Sequence, residues 1–311
     1  MSKIVVVTGA AGFIGSHLAE KLLEQGRQVL GIDNFQTGAR KNMNTFINNE
    51  RFVFLEHDIE APLKIRDKID EIYHLACPAA PIHYQKDPIK TLDTAFIGTK
   101  NILDLAHRKN ARVLYTSTSE IYGDPLEHPQ HESYWGNVNP IGPRSCYDEG
   151  KRSAEALCYA YHRQHDVDIR IVRLFNVYGP RMATNDGRVM PNFIQQALNN
   201  QSITIYGTGD QTRSFCYVDD MVSGLISMMN SDNTNGPINL GNPAEITMRS
   251  LAQTIIRLTN SESELSYLPL PEDDPHRRKP DITLAQKKLN WDPIIDLETG
   301  LQKTIDYFNK I

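Results

Sequence analysis

Short apolar runs alternate along this chain with longer stretches in which apolar residues recur every three or four positions. The runs fall at residues 3–8, 28–32, 52–55, 71–74, 112–116 and 169–173, and the periodic stretches at 13–24, 88–108 and 151–165. Runs rich in β-branched residues predict strands, and a period near 3.6 predicts helices. Most of the runs hold consecutive apolar residues rather than a strict alternation, as strands covered on both faces do. Strand and helix in alternation therefore predict an α/β fold built on a Rossmann-like, doubly wound parallel sheet. After about Gly179 the rhythm changes, and Pro, Gly and Asn become frequent. The expected division is a nucleotide-binding domain over 1–178 and a smaller, mainly substrate-binding C-terminal lobe over 179–311. The boundary is soft, because the late run at 237–240 has the character of a strand returning to the main sheet. A final helical pattern covers 297–308.

Composition narrows the partners. The chain has 311 residues, enough for a large core, and is 40% apolar and 23% charged. Lys plus Arg total 33 against 38 acidic residues, a net charge of −5, which argues against nucleic acid or an anionic membrane as main partner. Cys77, Cys146, Cys158 and Cys216 show no paired spacing and are too sparse for a disulfide framework. A reducing, cytoplasmic setting is expected. The first apolar run is too short for a signal peptide or a membrane span. His162 and His165 lie one helical turn apart with no further ligands near them in sequence, so no metal is expected.

The segment Thr8-Gly9-Ala10-Ala11-Gly12-Phe13-Ile14-Gly15 leaves the first strand and opens the first helix. Glycines there let backbone N–H groups approach an anion, and the helix terminus adds positive potential toward a pyrophosphate. Asp33 ends the second strand, where a carboxylate accepts from a ribose diol and repels a 2′-phosphate. That pattern predicts NAD rather than NADP. Asp58, after the third strand, faces the adenine or caps a helix.

Tyr147 and Lys151 are four apart, on one face if helical. A phenol in water ionises only near pH ~10, so it is a poor base at neutral pH. A neighbouring ammonium and a positive nicotinamide ring are expected to lower that value, so that Tyr147 takes a proton from an alcohol as hydride leaves. Thr118 sits at the carboxyl end of the 112–116 strand, where open sheets bind ligands. By residue type alone, Glu120 reads as a solvated loop acid and Arg278 as one charge in the basic run 277–279.

Together these features resemble the extended short-chain dehydrogenase/reductase family, including Asn176-Val177-Tyr178-Gly179-Pro180-Arg181. Within it the chain is similar to the UDP-glucuronate decarboxylase subgroup. The resemblance rests on Ala76-Cys77-Pro78-Ala79 with His83-Tyr84, on Thr116-Ser117-Thr118-Ser119-Glu120, and on Pro143-Arg144 leading into Cys146-Tyr147-Asp148-Glu149-Gly150-Lys151. It extends to Asn185-Asp186-Gly187-Arg188-Val189, Gln211-Thr212-Arg213 and Arg278-Lys279-Pro280-Asp281-Ile282.

The resemblance implies bound NAD, reduced and reoxidised within each turnover, with UDP-glucuronate as substrate and a homodimer formed through the helices at 88–108 and 151–165. It implies Thr118 at the sugar 4-oxygen and Glu120 and Arg278 near the sugar carboxylate, Glu120 ordering a water or the proton donor. It places Lys151 on the nicotinamide ribose as well. Asn34, Phe35, Thr37 and Gly38, with Ile59, Leu75, Ala76 and Thr94, are the further expected cofactor contacts. Asn176, Arg188, Asn192 and Arg213 match UDP-binding positions, and Tyr206 packs near the uracil or in the core. Many relatives carry Asn where Ala95 stands, so any relay behind Lys151 is expected to differ here; close relatives also often carry Ser at Ala80. Rival readings are a 4,6-dehydratase, which typically has Asp where Ser119 stands, a 4-epimerase, and a non-catalytic NAD sensor, which commonly lacks the Tyr or the Lys.

Overall fold

A computed structural model describes residues 3–185, 187–232, 234–269 and 277–310; Asp186 of the quoted motifs lies outside the described residues. Seven parallel strands form the central sheet: β1 (Ile4–Thr8), β2 (Gln28–Asp33), β3 (Phe52–Glu56), β4 (Glu71–His74), β5 (Arg112–Thr118), β6 (Ile169–Leu174) and β7 (Ile238–Leu240). Their spatial order is β3-β2-β1-β4-β5-β6-β7. The order reverses between β1 and β4, which opens a crevice at the carboxyl ends of these two strands. The run at 237–240 thus supplies an edge strand, with Ile238 opposite Val172.

Period-two alternation sends successive side chains to opposite faces. Val5 and Val7 of β1 join Tyr73, Leu114 and Val172 under helices α1 (Phe13–Glu24) and α4 (Val218–Asn230). Val6 joins Ile72, Val113 and Ile171 under α2 (Thr99–Lys109) and α3 (Ser145–His165). Both faces are covered by helices, which accounts for the consecutive apolar residues in most of the runs.

Two helical boundaries differ from the sequence reading. The 88–108 pattern is not one regular helix. Helix Pro88–Asp93 passes through a wide π-type turn at Thr94–Gly98 before α2 begins. The Thr99 hydroxyl donates to the Ala95 carbonyl there (2.5 Å), occupying an acceptor in the widened turn. The helix expected from Lys151 begins six residues earlier, at Ser145, so Tyr147 and Lys151 lie on the same helix. Smaller strands build the remaining lobe: Thr212–Ser214 lies between Glu245–Thr247 and Arg277–Arg278, and Ile203–Tyr206 pairs with Leu265–Leu268.

Candidate active site

The glycine loop and the carboxyl ends of β1, β2, β4, β5 and β6 open onto one cavity of about 870 Å³. Gly9 has a positive φ of +73°, and a Cβ on it would lie 3.1 Å from the Ala76 backbone nitrogen. A Cβ on Gly15 would stand 2.0 Å from the Gly9 carbonyl oxygen. Only glycine lets β1, β4 and the start of α1 approach this closely. No side chain caps α1, and its first turn carries no acidic residue, so its N–H groups face the cavity ready for an anion. Asp33 is held by N–H donors from Ala11 (3.0 Å) and Phe35 (2.8 Å), although burial raises its pKa. An uncapped helix terminus beside an oriented carboxylate fits a dinucleotide pyrophosphate and ribose diol.

The expected cofactor contacts Gly9, Gly12, Phe13, Ile14, Gly15, Asp33, Asn34, Thr37, Gly38, Asp58, Ile59, Leu75, Ala76 and Thr94 all line this cavity. Phe35 differs from the others in that its side chain does not line the cavity. Its ring packs on Phe54 at 5.2 Å and under the Arg40 guanidinium, outside the lining, and only its N–H serves the site. Asp58 accepts from Lys90 (2.6 Å) and Asn34 (3.1 Å), which fixes its carboxylate at the rim. Asn176, Arg188, Asn192, Tyr206 and Arg213 line the same cavity. Tyr206 is half exposed, so it is no core residue.

Tyr147 and Lys151 are both buried, and Lys151 Nζ donates to the Thr116 carbonyl (2.8 Å) while lying 5.9 Å from the Tyr147 ring centre. Thr118 hydrogen-bonds the Tyr147 phenol and accepts from the Glu120 N–H (3.2 Å). The expected lowering of the tyrosine pKa is corrected for the protein alone. Burial pushes the Tyr147 phenol well above its ordinary value, and burial also lowers Lys151, weakening the ammonium as a source of charge.

Behind them lies a polar chain that sequence reasoning missed. Thr8 Oγ1 accepts from the Leu75 and Ala76 N–H groups, so its proton goes to His74 Nδ1 (2.8 Å). His74 Nε2 then donates to Thr99 (3.1 Å). Burial, aided by Lys151, holds His74 down at about 3, and it stays neutral.

Glu120 is not a solvated acid, nor is Arg278 a tail charge. Arg278 is 2% exposed and its Nη1 lies 2.8 Å from Glu120 Oε1; Arg144 pairs with the other oxygen. Burial alone would raise Glu120, but the Arg278 and Arg144 guanidiniums overcome it and hold the carboxyl down at about 2. Arg278 Nη1 also donates to Ser119 Oγ (3.0 Å) and Nη2 to the Gly123 carbonyl (3.0 Å).

Two further lining residues had appeared in the motifs without a role. Tyr84 stacks on Tyr147, with ring centres 5.0 Å apart and planes within 5°. Arg144 stands three residues before Tyr147, so the start of α3 carries it to Glu120. Spacing from Tyr147 was the available signal for Arg144. Asp148, next in line, is pushed up to about 7 by burial and by Glu120, and its Oδ1 has no hydrogen-bond partner. Among the described residues no group of three or more His, Cys, Asp or Glu could hold a metal ion, and no helix is long and apolar enough to cross a membrane.

This arrangement has counterparts among known proteins. UDP-glucuronic acid decarboxylase 1 of Danio rerio is 54% identical over 308 residues, covering 99% of this chain and 73% of that protein. UDP-glucuronic acid decarboxylase 5 of Arabidopsis thaliana is 55% identical over 298 residues, covering 96% and 86%. The structure of UDP-glucuronic acid 4-epimerase from Bacillus cereus, in complex with UDP-glucuronic acid and NAD, matches with a TM-score of 0.87 at 30% identity, covering 99% of each chain. Residues 5–241 match the model of the NAD dependent epimerase/dehydratase family, and the chain belongs to that family.

Proposed function

We propose that this chain is a UDP-glucuronate decarboxylase, converting UDP-glucuronate to UDP-xylose and CO2 with NAD as cofactor. The observation that carries the reading is the buried Glu120–Arg144–Arg278 cluster, in one cavity with Tyr147 and the glycine loop. Two guanidiniums against one carboxylate suit a substrate that brings a carboxylate of its own.

When bound, NAD supplies the hydride acceptor for C4 of the sugar and later the hydride donor. Tyr147 removes the 4-hydroxyl proton, and Thr118, bonded to the same phenol, holds the 4-oxygen. A carbonyl at C4 lies β to the carboxylate on C5, so the C–C electron pair moves into the carbonyl as CO2 departs. Arg278 and Arg144 orient the carboxylate beforehand and stabilise charge during its loss. Glu120, held ionised, orients the water that protonates C5 rather than giving up a proton of its own. Lys151 positions the ribose and steadies the phenolate. Asn176, Arg188, Asn192 and Arg213 hold the UDP portion, with Tyr206 beside the uracil.

The division of labour follows the two parts of the chain, 1–178 holding the cofactor and 179–311 mainly the substrate, with β7 and α4 given back to the sheet layer. The exposed apolar residues Ile89, Leu92, Phe96 and Ile97, on the segment that packs beside α3, support a homodimer through that face. Light scattering at working concentration should give twice the chain mass of 35.2 kDa; the single-chain mass alone would refute it. A cytoplasmic setting suits four unpaired cysteines, three of them buried, and fractionation of the source cells tests it.

The test of activity is an NMR time course with UDP-glucuronate and catalytic NAD. UDP-xylose without net NADH supports the decarboxylase. A 4-keto pentose with matching NADH means that the intermediate is released. UDP-galacturonate as product, or no consumption of UDP-glucuronate, would overturn the reading.

A further inference from the structure

Glu120 and Arg278 face each other, yet they come from segments far apart in sequence. Glu120 rides on the turn Ser119–Tyr122 at the end of β5, and Arg278 on the short strand Arg277–Arg278. Their pairing depends on something that fixes these two backbones relative to each other. One fully buried amide does so. Tyr122, on the same turn as Glu120, donates its hydroxyl proton to Asn239 Oδ1 (2.8 Å). Asn239 Nδ2 donates to the Gln130 carbonyl (3.0 Å) and to the Asp281 carbonyl (3.1 Å), the latter three residues beyond Arg278.

The direction of each bond is settled by chemistry. Arg173 Nη1 donates to the Tyr122 oxygen (3.0 Å), so the phenol proton is free for Asn239. A flipped amide would set its oxygen against two carbonyls and its NH2 against a donor. Gln130 completes the clamp. It accepts from Lys279 N through its side chain (2.9 Å) and exchanges backbone bonds with Lys279 O (2.9 Å) and Asp281 N (2.8 Å). Asn239 and Gln130 are both 0% exposed, so water does not compete for these bonds.

We propose that Asn239, on the edge strand β7, is a positioning residue that sets the Glu120–Arg278 geometry by bridging the turn of one to the segment of the other. It touches no reacting atom. The inference rests on the decarboxylase reading for its kinetic consequence, and on geometry alone for its structural one.

The test is a double-mutant cycle on UDP-glucuronate turnover with Asn239→Ala, Arg278→Lys and the pair. Asn239→Ala should lower kcat about 10–100-fold, as small misplacements of a reacting group do, with UDP and NAD affinities within about twofold of the parent. In the Arg278→Lys background it should cost little more, because both changes disable one interaction. Tyr122→Phe, which removes one end of the bridge and keeps the fold's volume, should give a smaller loss in the same direction. Additive losses in the cycle, or a fall in UDP and NAD affinity matching the fall in kcat, would overturn the proposal in favour of a general structural role. A crystal structure of Asn239→Ala decides the matter without turnover: Arg278 should leave Glu120, and an unchanged pair would overturn the proposal. If the parent enzyme consumes no UDP-glucuronate, the decarboxylase reading fails, while the crystal structure still tests the bridge.

Discussion

Replacing Glu120 with Gln removes one negative charge from between two guanidiniums while keeping the shape of the side chain. The cost follows from the carboxyl being held at about 2 in the fold against an ordinary 4.5. That gap corresponds to about 3 kcal/mol at neutral pH. Breaking one side of a buried ion pair by itself costs about 3–5 kcal/mol, so the two routes agree. A depressed carboxylate pKa stabilises the fold above the unfolded value, and that stability is lost as the pH falls toward 2. The Gln variant should therefore be less stable than the parent by about 3 kcal/mol at pH 7, and by clearly less at pH 3. Urea unfolding followed by tryptophan fluorescence and circular dichroism, at matched ionic strength across this range, measures the gap directly. A difference below about 1 kcal/mol at pH 7, within the range of an exposed pair, would refute the buried-cluster argument. So would a gap that does not narrow on acidification.

Three other outcomes are expected. Gly15→Ala places a Cβ against the Gly9 carbonyl, and overpacking of about 1–3 kcal/mol should weaken NAD binding roughly 10–100-fold by calorimetry, with unaltered affinity counting against the close approach. Ultraviolet titration of the Tyr147 phenol, isolated by difference against Tyr147→Phe, should show no ionisation up to pH ~10 without cofactor and a shift to lower pH with NAD bound; coincident curves would remove the cofactor charge from the activation of Tyr147. Asp148 is raised to about 7, so the fold loses stability as the pH rises from the ordinary carboxylate range toward that value, where the unfolded chain is ionised and the fold is not. Asp148→Asn should raise the melting temperature at pH 8 and leave it little changed at pH 4, and an equal rise at both would contradict the charge argument.

What the sequence made legible followed from local periods. Consecutive apolar residues in most of the runs gave the two-sided sheet, the glycine loop was framed by its strand and helix, and a spacing of four put Tyr147 and Lys151 on one helical face. Those properties are set within a few residues of themselves. The environment of Glu120 is different in kind: its carboxyl is defined by a guanidinium from the far end of the chain, and no local pattern reveals that a charge in a basic run will be buried. The direction of the Phe35 ring was hidden for a different reason. It follows Asp33 and Asn34 of the cavity lining in sequence, but its positive φ of 57° turns the ring toward Phe54. The tyrosine pKa was expected from Lys151 and a nicotinamide ring, and in the protein alone desolvation, which no spacing records, holds the phenol up.

The separation of Glu120 from Arg278 also sets an order of events during synthesis. The glycine loop, Asp33, Tyr147 and Lys151 have all left the ribosome while Arg278 is still unmade. Ser119 and Arg278, bonded in the finished fold, are 159 residues apart, a delay of about 10–30 s at typical translation rates. In that interval the nascent chain carries the cofactor-binding loop and the tyrosine base but lacks one of the two guanidiniums on Glu120. Chains broken off before Arg278 are therefore left without the complete charge cluster, however well their cofactor loop has formed.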